Sequence, residues 1–127
     1  MNNIDHTDLL NIRAISSRGT QLSKIMSYWD AVNRSYPKYV DFINSIKKLE
    51  SLYAIEIQDR GRYGKISNTV HSHMSLREKF QYFINPTDKL FLNVLERLKA
   101  NDNAIGLTIT EDDYESIIKE YYFSVLK

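Results

Sequence analysis

Apolar residues recur along this chain with two periods, and each change of period marks an element. Leu22, Ile25, Trp29 and Val32 are spaced by three and four, as on one face of a helix ending near Ser35. The break at Arg18-Gly19 precedes this run and leaves Thr20 as its N-cap candidate. Pro37 suits the first turn of a following helix, where its missing N–H costs nothing. Phe42, Ile46, Leu49 and Tyr53 form the stripe of that helix, with Tyr39 and Ile43 beside it. The period then falls to two. Tyr53, Ile55 and Ile57 alternate with Ala54, Glu56 and Gln58, the pattern of a half-buried strand. Asp59-Arg60-Gly61-Arg62 supplies a turn, and Tyr63 to Thr69 can return as the partner strand.

Helical spacing resumes after the hairpin. Ser75-Leu-Arg-Glu78 is a capping box, and the helix it opens should stop before Asn85-Pro86, which open the next. Leu90, Phe91, Val94, Leu95 and Leu98 line that next helix. Asn101-Asp102-Asn103 reads as a turn and Leu107 to Thr110 as a short β-prone stretch. Thr110 and Asp113 can cap a last helix with the stripe Tyr114, Ile117, Ile118, Tyr121 and Val125. At the start, Leu9, Leu10, Ile12 and Ile15 fit either a short helix or an extended arm. Trp29, Phe42, Phe80 and Phe91 sit on apolar stripes and are assigned to the core. The expected fold is α+β: one mainly helical domain over residues 1–127 with a small antiparallel β-hairpin at about residues 53–69. A helix-helix-hairpin unit at 20–69 precedes C-terminal helices at 75–127.

Composition narrows the classes. A chain of 127 residues, 43% of them hydrophobic, can bury a core without covalent staples. Two prolines and four glycines argue against long linkers. The absence of cysteine excludes a disulfide framework and a thiolate zinc site. No apolar run approaches the roughly 20 residues of a membrane helix. The first residues lack the basic and apolar regions of a signal peptide, so a soluble, cytoplasmic protein is expected. The net charge of +1 conceals an asymmetry. Residues 1–80 hold 12 Lys/Arg and 8 Asp/Glu, a net +4; residues 81–127 hold 5 and 8, a net −3. A basic front suits a nucleic-acid face, and chance scatter of surface charge is the bland alternative.

Leu49-Glu50-Ser51-Leu52-Tyr53-Ala54-Ile55-Glu56, followed by the tip Asp59-Arg60-Gly61-Arg62-Tyr63-Gly64-Lys65, resembles the winged helix-turn-helix families of bacterial regulators. The resemblance spans about residues 37–67. It implies a recognition helix from Pro37 to Leu52 and a basic wing. Lys38, Asn44, Lys47 and Lys48 would then face phosphates or base edges, and Arg60, Arg62 and Lys65 would reach phosphate or the minor groove. It also implies a dimeric regulator, with the helices after residue 75 as the dimer or partner interface. Three positions depart from the pattern. Tyr53 stands where glycine is usual, Asp41 would repel phosphate, and only Ser35-Tyr36 joins the preceding helix to Pro37.

Other chemistry is thin. His71-Ser72-His73 could pair two imidazoles on a metal, but no third ligand follows at a recognisable spacing. A nuclease could use either histidine with Arg62 or Lys65 holding phosphate, and this is the least supported class. Glu111-Asp112-Asp113 sits where acids favour a helix N-terminus, which accounts for it without a cation. No catalytic residue, cofactor or metal is assigned. Nine tyrosines and five phenylalanines are many for this size, and Tyr121-Tyr122-Phe123 cannot all face one side of a helix. A compact, cysteine-free chain of this size also leaves open a second reading that no sequence signature marks: an immunity protein, antitoxin or phage-type inhibitor that covers a toxin or other protein. Tyr121, Tyr122, Asp112 and Asp113 would be its contact residues.

Overall fold

A computed structural model describes the backbone of residues 2–126 and the side chains as far as Tyr122. The first residues form a helix, α1 (His6–Ala14), which resolves the choice between helix and arm. Asp5 and Asp8 explain it. Each carboxylate accepts the other's backbone N–H at 3.0 Å, a reciprocal cap that satisfies two orphan donors.

The chain then forms β1 (Thr20–Gln21), α2 (Leu22–Asn33), α3 (Tyr39–Ser51), β2 (Ile55–Ile57) and β3 (Lys65–Asn68). Thr20 is a strand residue and not the cap of α2. Its hydroxyl accepts the Ser16 N–H at 2.9 Å, and Gln21 precedes α2 without a side-chain cap. Pro37 lies ahead of α3, whose N-cap is Lys38, and not within its first turn. The sheet has three antiparallel strands in the order β1-β3-β2, with Thr20 opposite Ile66 and Ile55 opposite Asn68. Its third strand is Thr20–Gln21, while Leu107 to Thr110 remains outside it.

α3 ends in a Schellman motif. The Ala54 N–H bonds the Leu49 carbonyl and the Tyr53 N–H bonds that of Glu50, both at 3.0 Å. Tyr53 occupies the left-handed position at φ 58°, where glycine would be unstrained. Tyr53 is accordingly exposed and Ala54 buried, so the strand alternation begins at Ile55 and not at Tyr53.

A buried polar chain ties α1, α2 and α3 together. The Trp29 Nε1–H donates to Asn11 Oδ1 (2.8 Å), Asn11 Nδ2 to Ser45 Oγ (2.9 Å), and Ser45 Oγ to Asp8 Oδ1 (2.6 Å). Lys48 Nζ closes it on Asp8 Oδ2 at 2.7 Å. Asp8 and Asn11 are wholly buried. Every member is satisfied, which is the condition for such a network to be tolerated in a core. Phe42, Ile46 and Leu49 of α3 pack around it with Ile12, Ile25 and Leu95.

A 3₁₀ turn (Val70–His73) leads to α4 (Leu76–Ile84), α5 (Asp88–Arg97) and α6 (Glu111–Leu126). The capping boxes at Ser75/Glu78 and Thr110/Asp113 are both made. α6 packs on α2, and Tyr114 stacks on Phe42 with ring centroids 5.4 Å apart. Between α5 and α6, residues 99–110 form a strap across the end of α3 and the tip of the β2–β3 hairpin. The Asn101 N–H bonds the Ser51 carbonyl (2.9 Å), Gly106 N–H bonds Glu50 Oε1 (2.9 Å), and Thr108 N–H bonds the Arg60 carbonyl (2.8 Å).

Besides Tyr53, the stripe residues Val32 and Phe80 lie outside the core. Val32 is 58% exposed, and Phe80 is 68% exposed because α4 turns that face outward. Trp29, Phe42 and Phe91 are buried as expected. The side chains of Phe123 and Val125 lie outside the described residues.

Candidate functional site

The cations singled out in the sequence divide into two groups. Lys48 is bound to the buried Asp8. Arg60 chelates Glu50, with Nη2 2.6 Å from Oε2 and Nη1 3.0 Å from Oε1, and also donates to the Gly106 carbonyl at 2.9 Å. Burial pushes the Glu50 carboxyl up, but hydrogen bonds from Arg60 and the Gly106 amide outweigh it, and the carboxyl titrates below its usual range. Arg62 is paired with Glu120 of α6 and lies over the Tyr63 ring. By contrast, Lys38, Asn44, Lys47 and Lys65 are exposed, and their side chains make no hydrogen bond or ion pair among the described residues.

The outer face of α3 is not clear of neighbours. A shallow cavity of about 400 Å³ is lined by Asn44, Lys47 and Lys48 on one side and Asn101 and Asp102 of the strap on the other. At the opposite end of the helix, Lys38, Val40 and Asp41 share a cavity with Glu111 and Glu115 of α6. The acidic C-terminal third therefore flanks the helix that the winged pattern would send into a groove.

Of the residues nominated for a protein partner, Tyr121 and Asp113 are partly buried and bonded within the molecule, whereas Tyr122 and Asp112 are exposed. The Tyr121 hydroxyl donates to Asp30 on α2 at 3.1 Å. Tyr122 meets Tyr36 edge-on with ring centroids 5.8 Å apart. Asp113 caps α6, which leaves Asp112 as the exposed acid of the set. His71 and His73 sit on the 3₁₀ turn, and His73 Nε2–H donates to the Tyr53 carbonyl at 2.8 Å. Among the described residues, no group of three or more His, Asp or Glu is placed to hold a metal ion. No helix among them is long and apolar enough to cross a membrane.

The unusual surface is α4, which has no buried residue. At roughly 100° per residue, Leu76, Phe80, Phe83 and Ile84 fall on one side, and Glu78 and Tyr82 on the other. The second side is anchored to α5. Arg97 grips both oxygens of Glu78, with Nη1 2.6 Å from Oε2, and Tyr82 meets Phe91 edge-on at 5.8 Å. The Arg97 guanidinium holds the Glu78 carboxyl far below the usual range, at about 2. The first side faces outward. Leu76 is 85% exposed, Phe83 86% and Ile84 64%. Arg77 and Lys79 flank this apolar strip, one on each edge, exposed and outside any ion pair among the described residues.

Sequence reasoning found α4 through its capping box but placed Phe80 in the core. The signal that could have corrected it is the presence of aromatic rings on both sides of one nine-residue helix, since only one side of an edge helix can face inward.

No protein-family model, curated protein or solved structure matches this chain.

Proposed function

We propose that this protein is a non-enzymatic protein-binding module. A winged-helix-like body presents α4 to an apolar, acid-rimmed surface of another protein, such as a toxin or other target that it covers. The observation that carries this reading is the outward strip Leu76, Phe80, Phe83 and Ile84. Monomers rarely leave contiguous large apolar side chains in water. Each would release about 1.5–3 kcal/mol on full burial. The rim specifies the partner's charge. Glu78 is the helix's single acid and is committed to Arg97, so Arg77 and Lys79 are left to meet carboxylates. Pairing α4 with its own copy would bring four cations around one seam with no uncommitted carboxylate on either helix, which disfavours a homodimer here.

The test is affinity capture followed by hydrogen exchange on the captured complex. A genuine partner should protect residues 76–84 and should be lost from a folded Phe80→Glu/Phe83→Glu variant. Retention of the partner by that variant would refute the reading.

A second reading, nucleic-acid binding through α3 and the wing, is favoured by the succession helix-strand-helix-helix-strand-strand and the sheet order β1-β3-β2. Lys38, Asn44, Lys47 and Lys65 would carry it, since Lys48, Arg60 and Arg62 are held in internal pairs. Fluorescence anisotropy with a random duplex across a salt series tests it. Steeply salt-dependent binding that Lys47→Glu/Lys65→Glu removes would favour this reading, and no binding at low salt would exclude it.

A further inference from the structure

The outer edge of β2 opens into a groove, a cavity of about 660 Å³. One wall is Tyr53 and the strand Ile55–Ile57, and the other is Asn101, Asn103 and Ala104 of the strap. The ladder register fixes which groups face it. The Gln58 N–H bonds the Lys65 carbonyl and the Thr69 N–H bonds the Ala54 carbonyl, so Glu56 exchanges its main-chain bonds with Ser67. The N–H and C=O groups of Ile55 and Ile57 therefore point away from β3. No partner for them occurs among the described residues. The strap bonds the body at Asn101 and again at Gly106 and Thr108, and the groove lies between those points and β2.

Two side chains set the chemistry of the groove mouth. Tyr53 holds a strained left-handed conformation and is 58% exposed at the mouth. Its carbonyl is fixed by Thr69 Oγ1–H and His73 Nε2–H, both at 2.8 Å. Glycine would relieve the strain, so the ring is retained at a cost the fold does not require. Glu56 is exposed beside it and has no cationic partner among the described residues.

We infer that this groove takes an extended peptide that adds a fourth strand to the β2 edge. The outward N–H and C=O groups two residues apart match the main chain of a strand. Glu56 selects a lysine or arginine on the incoming segment, and Tyr53 covers an adjacent apolar or aliphatic side chain. This site is separate from the strip on α4.

The test is to pan a display library of random seven-residue peptides against the full chain. The binders should share one basic residue within an alternating pattern and should shift the amide resonances of Ile55 and Ile57. N-methylation at alternate peptide positions should weaken them at least tenfold, and methylation at the intervening positions should not. Tyr53→Gly should melt no lower than the wild type yet lose the peptides. Glu56→Gln should lose the preference for the basic residue, and Phe80→Glu should bind as before. The inference is overturned by a library that yields no binder, by resonance shifts confined to α4, or by binding that survives both Tyr53→Gly and N-methylation.

Discussion

α3 and α4 begin from similar sequence patterns and meet different ends. Each is a short amphipathic helix with aromatic and aliphatic residues spaced by three and four. α3 lays Phe42, Ile46 and Leu49 wholly into the core, and joins the buried Ser45 and the partly exposed Lys48 to the buried carboxylate of Asp8. α4 lays nothing into the core. It is held at one side by an ion pair and one ring contact, and it turns its larger apolar side outward. Periodicity shows that a face exists, but the cover over that face depends on the rest of the chain. A helix whose apolar side does no work for folding is the one whose side chains are available for binding.

Substitutions should separate the two helices sharply. Phe42→Ala in α3 should destabilise the protein by about 3–5 kcal/mol, because it removes a fully buried ring and leaves a cavity. Chemical denaturation would show it, and a loss below about 1 kcal/mol would contradict the packing described. Asp8→Ala should weaken the fold by about 3 kcal/mol or more, since it leaves Lys48 and Ser45 without their buried acceptor. Asp8→Asn, which keeps the shape but not the charge, should fall between that variant and the wild type.

The attachment of α4 should depend on pH. The Glu78 carboxyl is lowered from an ordinary 4.5 to about 2 by Arg97. Its contribution to stability is therefore fully present above pH 4.5 and is lost as the pH falls toward 2. Corrected for intrinsic exchange rates, the protection of residues 76–84 should fall across that window, and Glu78→Gln should remove this pH dependence. The smallest effect belongs to Phe80→Ser, which should change stability by no more than about 0.5 kcal/mol because the ring is already in water. A loss comparable to that of Phe42→Ala would mean that the outward face of α4 is covered within the chain.

Local signals were readable and distant partners were not. The caps at Ser75/Glu78 and Thr110/Asp113 close within three residues, so the sequence displays them whole. The hairpin is legible because Ile55 and Ile57 and the glycine-bearing tip lie within one short span. β1 was missed because two residues, Thr20 and Gln21, become a strand only by pairing with Ile66 and Lys65. The cations of the hairpin tip look uniform in sequence. Their fates depend on Glu50, Glu120 and Gly106, which reach them only after the strap and α6 have folded back. The aspartate-lysine pair of α1 and α3 spans 40 residues, and nothing local to Asp8 announces it.

The single tryptophan is the donor at the head of the buried polar chain, with its indole N–H committed to Asn11 and its ring edge-on to His6. The molecule thus carries its own optical gauge. Emission from Trp29 reports how tightly the first three helices are clasped. Its recorded partners lie on α1, far along the chain from both α4 and the β2 edge. A ligand that leaves the spectrum unchanged while slowing rotational diffusion has docked without loosening the body, and a red shift in the same titration would show that it has pried the helices apart.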